Sequence, residues 1–305
     1  MFTILMLLCL AWFETLLNCI CKFGAGLEVV SGFVTAPGAA FTAWTVATGN
    51  SLQIRSAPFN KPVWLLGAWA FNQVAGVLRV RSPRLHDFVQ GIRMRVSAAN
   101  AEPLYPDTVA FGFRQYLIPQ DVLTVEQTGS GVAGQIETAS LLLYYEDLPG
   151  VAGRFIDNDL LEKAGVNIIG QEVSVTTGIV GGYSGQVAIN VTNDNFKANT
   201  DYALLGGMVD TRVGTIRIQG VDTGNLGVAF PGEPTQRHVT SNWFQRLSVA
   251  MRRPLIPVFN SANKTAILVD ATGNQAAITS VVTLFLVELR PGMAPAAMTS
   301  QAPGM

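Results

Sequence analysis

One stretch of this chain is written twice. Val63-Trp64-Leu65-Leu66-Gly67-Ala68-Trp69 has a counterpart in Tyr202-Ala203-Leu204-Leu205-Gly206-Gly207-Met208, and the segments that follow also match, Gly76-Val77-Leu78-Arg79-Val80 against Gly214-Thr215-Ile216-Arg217-Ile218. Phe59-Asn60-Lys61 precedes the first copy as Asn195-Phe196-Lys197 precedes the second. The halves also close alike, Leu141-Leu142-Leu143-Tyr144-Tyr145-Glu146-Asp147-Leu148-Pro149-Gly150 resembling Thr283-Leu284-Phe285-Leu286-Val287-Glu288-Leu289-Arg290-Pro291-Gly292. The offset is about 140 residues, far beyond the roughly 20–45 of a solenoid unit, so the repeat points to two whole modules.

The modules read as strands. Ile92-Arg93-Met94-Arg95-Val96 alternates, with Ile92, Met94 and Val96 on one face and the arginines on the other. Ser51–Arg55, Gln186–Thr192 and Thr215–Gln219 follow the same period of two, and Val77–Arg81 follows it in part. Each run is short and ends near Gly, Pro, Asn or Asp, as strands of a sandwich or barrel do. Between the copies, Phe155–Gly165 reads as one short helix, with Asp159 and Glu162 as a capping box and Gly165 as its stop.

Hydrophobic residues make up 49% of the 305-residue chain and charged residues 13%, about half the usual charged share. That balance needs either a large core or surface hidden against partners. With 20 Lys and Arg against 21 Asp and Glu, no electrostatic footprint for nucleic acid appears. The arginines 79, 81, 84, 93 and 95 read as solvated faces or inter-subunit pairs. Cys9, Cys19 and Cys21 all lie in the first 21 residues, so no disulfide framework or thiolate metal site supports the body.

Residues 1–21 are almost wholly apolar, broken by Glu14, Asn18 and a few Thr, and favour helix. A helix of that length spans about 30 Å, roughly a bilayer core. A signal peptide lacks its basic n-region here, and Glu14 and Asn18 weaken a spanning helix. An apolar arm, lying on a membrane or between subunits, is the third possibility. Gly24, Ala25 and Gly26 read as a flexible exit from it.

Two tandem all-β modules, an apolar N-terminal arm and a Pro/Ala/Met-rich tail resemble the double jelly-roll major capsid proteins of tailless, membrane-containing icosahedral viruses and bacteriophages, the lineage of adenovirus hexon. The resemblance covers roughly residues 27 to 292 and rests on the duplicated strand pattern. It implies an all-β chain of two eight-stranded jelly-roll β-barrels, at 27–150 and 166–292. Around them stand an arm or helix at 1–26, a linker with a short helix at 151–165 and a tail at 293–305. It implies a homotrimer of pseudo-hexagonal outline that meets neighbouring trimers and other capsid or penton proteins in a virion shell. Residues 1–21 then face an internal viral membrane, with no sequence-specific contact to nucleic acid. The alternative is a secreted or surface-anchored binding module of two β-sandwiches.

No catalytic, cofactor-binding or metal site is expected, and none of the motifs supplies an enzyme. The two histidines, His86 and His238, fall one in each half in expected loops or strand ends, without the His-x-His of a metal-binding cupin. No Gly-x-Ser-x-Gly elbow presents a serine. Gly129–Gly134 lacks the Lys and Ser/Thr of a phosphate loop and reads as a mobile loop. Asp157-Asn158-Asp159 lacks the Gly and distal Glu of a calcium loop and reads as helix capping. Asn190-Val191-Thr192 and Asn263-Lys264-Thr265 fit the glycosylation sequon, a pattern frequent by chance.

Overall fold

The computed structural model describes residues 23–35, 37–47, 52–55, 63–71, 74–82, 91–96, 101–103, 115–117, 121–129, 131–133, 135–149, 153–209, 213–232, 238–273 and 275–295. The expectations for residues 1–21, the three cysteines, Arg84, His86, the Phe59–Lys61 match and the tail beyond 295 lie outside them.

The first half contributes β1 (Phe23–Thr35), β2 (Thr42–Ala43), β3 (Thr45–Val46), β4 (Val63–Phe71), β5 (Gly76–Arg81), β6 (Ile92–Val96), β7 (Ala101–Pro103), β8 (Gln115–Leu117), β9 (Thr124–Gln127) and β10 (Ile136–Pro149). The second runs β11 (Phe155–Ile156), α1 (Asn158–Ala164), β12 (Gly165–Thr176), β13 (Val187–Ala188), β14 (Asp201–Val209), β15 (Val213–Gln219) and β16 (Val228–Pro231). It continues with α2 (His238–Ser241), α3 (Trp243–Met251), β17 (Ile256–Asn260), β18 (Leu268–Gly273) and β19 (Thr279–Leu289). The protein is thus all-β in character, with its helices in the connections.

These strands form four antiparallel sheets. Sheet I has the order β3-β1-β10-β4-β7, with β8 also on β4, and sheet II the order β2-β9-β5-β6. Sheet III runs β11-β17-β14-β19-β12 and sheet IV β13-β18-β15-β16. Set aside the edge strands β3 and β11, and count β7 and β8 as one position. Each half then has eight strands, in the order 1-8-3-6 in one sheet and 2-7-4-5 in the other. No sheet closes on itself among the described residues, so each half is an open two-sheet sandwich where the sequence reading expected a barrel.

The halves share a defect as well as an order. Leu142 faces Gly67 and Leu143 faces Leu65, which leaves Leu66 as an extra residue in β4. In the second half Leu286 faces Leu204 and Phe285 faces Gly206, which leaves Leu205 extra in β14. A β-bulge therefore sits at the same Leu-Gly step of both copies. It also corrects the alignment of the closing strands: Leu143 corresponds to Leu286, one residue away from the match read in sequence, and one residue flips every side chain to the other face.

Other expectations shift too. Gly24–Gly26, expected as a flexible exit, belongs to β1 and pairs with β10. Among the described residues of Ser51–Arg55 there is only the single bridge Gln53 to Val122, and in Gln186–Thr192 only the two-residue β13. Phe155 and Ile156 are not helical but pair with β17. The cap of α1 is Asp157, whose carboxylate accepts from the Leu160 N–H, while Glu162 accepts from Asn158. Gly165 ends the helix and begins β12 at once, because its extended backbone already suits a strand.

The alternation of Ile92–Val96 holds, with both arginines exposed and Met94 and Val96 buried. β15 loses its alternation: Val213–Ile218 are all buried. β4 is buried from end to end for the same reason, since both its faces are covered. Inward residues of each sandwich form the core, with Leu78, Val80 and Val125 of sheet II among those packed against sheet I.

Candidate functional site

Sheet I is covered on one side by sheet II and on the other by the second half. Val29 donates its backbone N–H to the Gly227 carbonyl at 2.8 Å, so the two halves are joined through main chain as well as side chains. Trp69 lies edge-on to Trp243 of α3, ring centroids 5.6 Å apart, and Gly67 lets that indole approach. Arg253, just past α3, lies over the Trp64 ring and forms an ion pair with Glu146 at 2.6 Å.

Through the middle of this seam runs a chain of hydroxyls. Trp69 donates its indole N–H to Thr215 Oγ1 at 2.9 Å, Thr215 meets Ser140 at 2.6 Å, Ser140 meets Ser31 at 2.6 Å, and Ser31 meets the Tyr183 hydroxyl at 2.7 Å. Ser31, Ser140 and Thr215 are buried, so each needs the next to replace the water it has lost. A broken link would leave a buried hydroxyl unsatisfied, and this polar string sets the register of one half on the other.

Tyr183 leads to a second feature, which the molecule carries twice. Arg217 stacks on the Tyr183 ring, 3.5 Å from its centroid, and makes two bonds to Asp270 at 2.9 and 2.5 Å. In the first half Arg79 stacks on Phe41 at 3.6 Å and bonds Glu126 at 2.7 Å. The strand register makes the correspondence firm: Arg217 lies opposite Asp270 as Arg79 lies opposite Glu126. The surroundings differ. Burial pushes Asp270 above the ordinary carboxylate range, against the pull of Arg217. Burial also works against the charge of Arg217, but the bonds to Asp270 and the Tyr183 contact outweigh it and raise its pKa. Glu126 is shared, since Arg81 also pairs with it at 2.7 Å, and beyond it Arg93 and Arg95 stand exposed.

A third anchor closes the chain. Arg154, buried after β10, pairs with Asp201 at 2.9 Å and Asp222 at 3.4 Å, and donates to the Pro295 carbonyl. Its backbone N–H reaches the Asp222 carbonyl at 2.7 Å, and Gly153 donates to Ala25. One guanidinium thus ties the connection between halves to the start of the C-terminal tail.

The residues singled out in sequence do not converge. His238 opens α2 instead of lying in a loop or strand end. Gly129 and Gly131 are held by bonds to the Gly38 and Pro37 carbonyls. Asn263 donates to Asp222, and Thr192 accepts from the Ser174 N–H, so both sequons are engaged internally. Among the described residues no group of three or more His, Cys, Asp or Glu is placed to hold a metal, and no helix is long and apolar enough to cross a membrane. Sequence reasoning missed Tyr183, Asp270, Arg154 and α3. Two signals were available: Arg79 and Arg217 occupy one place in the repeat, and Trp243, Leu247 and Met251 recur at helical spacing.

No protein-family model matches the chain, and no curated protein matches it either. Among solved structures it is similar to the PBSX exported protein XepA, with 9% identity over 86% of each chain and a TM-score of 0.24, a likeness too slight to carry an argument about fold or role.

Proposed function

We propose that this chain is a shell-forming protein, a major capsid protein of the double jelly-roll kind, that assembles with copies of itself as homotrimers. The observation that carries the reading is the strand order 1-8-3-6 and 2-7-4-5 in both halves. The pairs 1–8, 2–7, 3–6 and 4–5 are the rungs of one long hairpin, and successive rungs fall in alternate sheets. A ribbon of paired strands wound around a core gives this order, which is the jelly-roll path. Two such sandwiches in one chain, fused by a buried seam, support a rigid building block more than a pair of hinged binding modules.

A six-sandwich trimer would satisfy the low charge content, because obligate interfaces are apolar and commonly bury about 2,000–5,000 Å². Residues 1–21 would face an internal membrane, and the assembled protein would reside in the virion. The test is the native mass of the purified full chain, by light scattering and negative-stain imaging. Trimers or closed particles support the reading, and a stable monomer at every concentration and salt condition removes it. Alanine at His86 or His238 is expected to leave particle yield unchanged, and a measurable turnover lost with either histidine would contradict the structural role.

A further inference from the structure

The face of sheet I that meets the second half has a counterpart on sheet III. Register fixes the correspondence: Ser31, Ser140 and Trp69 stand in a row across β1, β10 and β4, and Glu172, Thr283 and Met208 stand in the same row across β12, β19 and β14. One step along, Val29, Leu142 and Gly67 correspond to Gly170, Phe285 and Gly206. In the first half Ser31, Ser140, Leu142 and Trp69 are buried by sheet IV and α3. In the second half Glu172 and Gly170 are exposed, and Ile168, on the same face, is 56% exposed. The first copy of the face is covered, and the second is open along β12, with α2 and α3 seated over Gly206 of β14.

The surface that does the covering also has a counterpart. Sheet IV presents Thr215, Arg217 and Tyr183, with Ala229 and Pro231 opposite the first two. Sheet II presents Val77, Arg79 and Phe41, with Arg93 and Arg95 where Ala229 and Pro231 stand. Of its four arginines, 79 and 81 share Glu126, Arg93 lies 5.5 Å over the Phe41 ring, and Arg93 and Arg95 are exposed. This face is basic, whereas the chain as a whole has a net charge of −1.

We infer that sheet III of one copy docks on sheet II of a second copy, repeating between chains the seam that joins the halves within one. The inference rests on the self-assembly proposed above and names the contact. Glu172 takes the place of Ser31. In the covered seam Ser31 reaches the Tyr183 hydroxyl beneath Arg217. Between chains the matching aromatic is Phe41, which offers no hydroxyl, and the groups above it are Arg79 and Arg93. A carboxylate at 172 is the partner that such a site takes, and Ile168, Phe285 and Met208 supply apolar contact around it. The contact is head-to-tail, so it closes into a ring or runs on as a filament.

The test uses full-length protein with Glu172→Arg, Arg93→Glu and the two together, read by sedimentation velocity over a concentration series. Glu172 and Arg93 are both exposed, so their folding is checked by an unchanged thermal midpoint. Each single reversal is expected to move the concentration for half-assembly up at least tenfold, and the double variant to bring it back to within about threefold of the wild type. Wild-type assembly that ignores both single reversals, or that the double variant does not restore, overturns this contact alone. A wild type that stays monomeric overturns the contact and the shell reading together. A labelled single-stranded oligonucleotide is the remaining probe: if Arg93→Glu abolishes its binding without changing the native mass, the basic face serves nucleic acid and the contact is wrong.

Discussion

Alanine at Arg217 is expected to cost about 3–5 kcal/mol of folding stability, whereas alanine at Arg79, its counterpart, costs about 1 kcal/mol. The chemistry removed is the same in both: a guanidinium stacked on an aromatic ring and paired with an acid across the sheet. What differs is what stays behind. Asp270 is 1% exposed and would be left without its cation inside the seam. Glu126 would keep Arg81. The pH dependence separates the cases further. Burial already raises the pKa of Asp270, so the folded protein holds that proton to a higher pH than the unfolded chain does. For an acid shifted this way, stability is lost as pH rises through the window between the unfolded and folded pKa values. Removing Arg217 widens that window, so the cost is full at neutral pH and shrinks in mild acid, where Asp270 takes a proton. Urea denaturation at the two pH values measures this. A penalty for Arg217→Ala no larger than that for Arg79→Ala would show that the buried pair does not stabilise the seam.

Gly206 and Gly67 make a second matched pair. At Gly206 φ is +154°, and an added Cβ would fall on the Thr240 carbonyl and lie 2.9 Å from the Trp243 backbone nitrogen. The obstacle is backbone on both sides, so no rotamer change relieves it. Gly206→Ala is expected to cost roughly 3–5 kcal/mol, by straining β14 or by displacing α2 and α3 from it. At Gly67 the nearest atom is the Trp243 ring at 3.2 Å, and the backbone is not left-handed. Gly67→Ala should cost about 1 kcal/mol, because an indole edge gives way by a few tenths of an ångström. Thermal unfolding and the near-ultraviolet signal of the tryptophans report both effects. Equal small losses at the two sites would mean that α2 and α3 are not seated on Gly206 as described.

The duplicated fold was legible because its core strands carry the strongest pattern. Val63–Trp69 and Tyr202–Met208 hold the same place in their sheets, and the match of Gly76–Val80 to Gly214–Ile218 puts Arg79 over Arg217. The closing strands were aligned one residue out, since apolar runs such as Leu141-Leu142-Leu143 fit either register and only the opposing bulges at Leu66 and Leu205 decide between them. Periodicity failed where burial is two-sided, as in β15, and where strands are two residues long, as in β13. The seam was not legible at all. Ser31, Ser140, Thr215 and Tyr183 are ordinary polar residues in sequence, and only the fold brings them within hydrogen-bonding reach across separations of 75 to 152 residues.

The seam also has a consequence for synthesis. Sheet I is complete once β10 has left the ribosome, yet the face bearing Val29, Leu142 and Trp69 is covered by segments that begin near Tyr183 and end near Arg253. At about 5–20 residues per second, translation from the end of β10 to Arg253 takes on the order of five to twenty seconds. For that interval a nascent chain displays an apolar sheet, on a polysome whose neighbouring chains display the same one. Slowing elongation after residue 150 should therefore lower the yield of soluble protein, and co-expressed holdase chaperones should recover it.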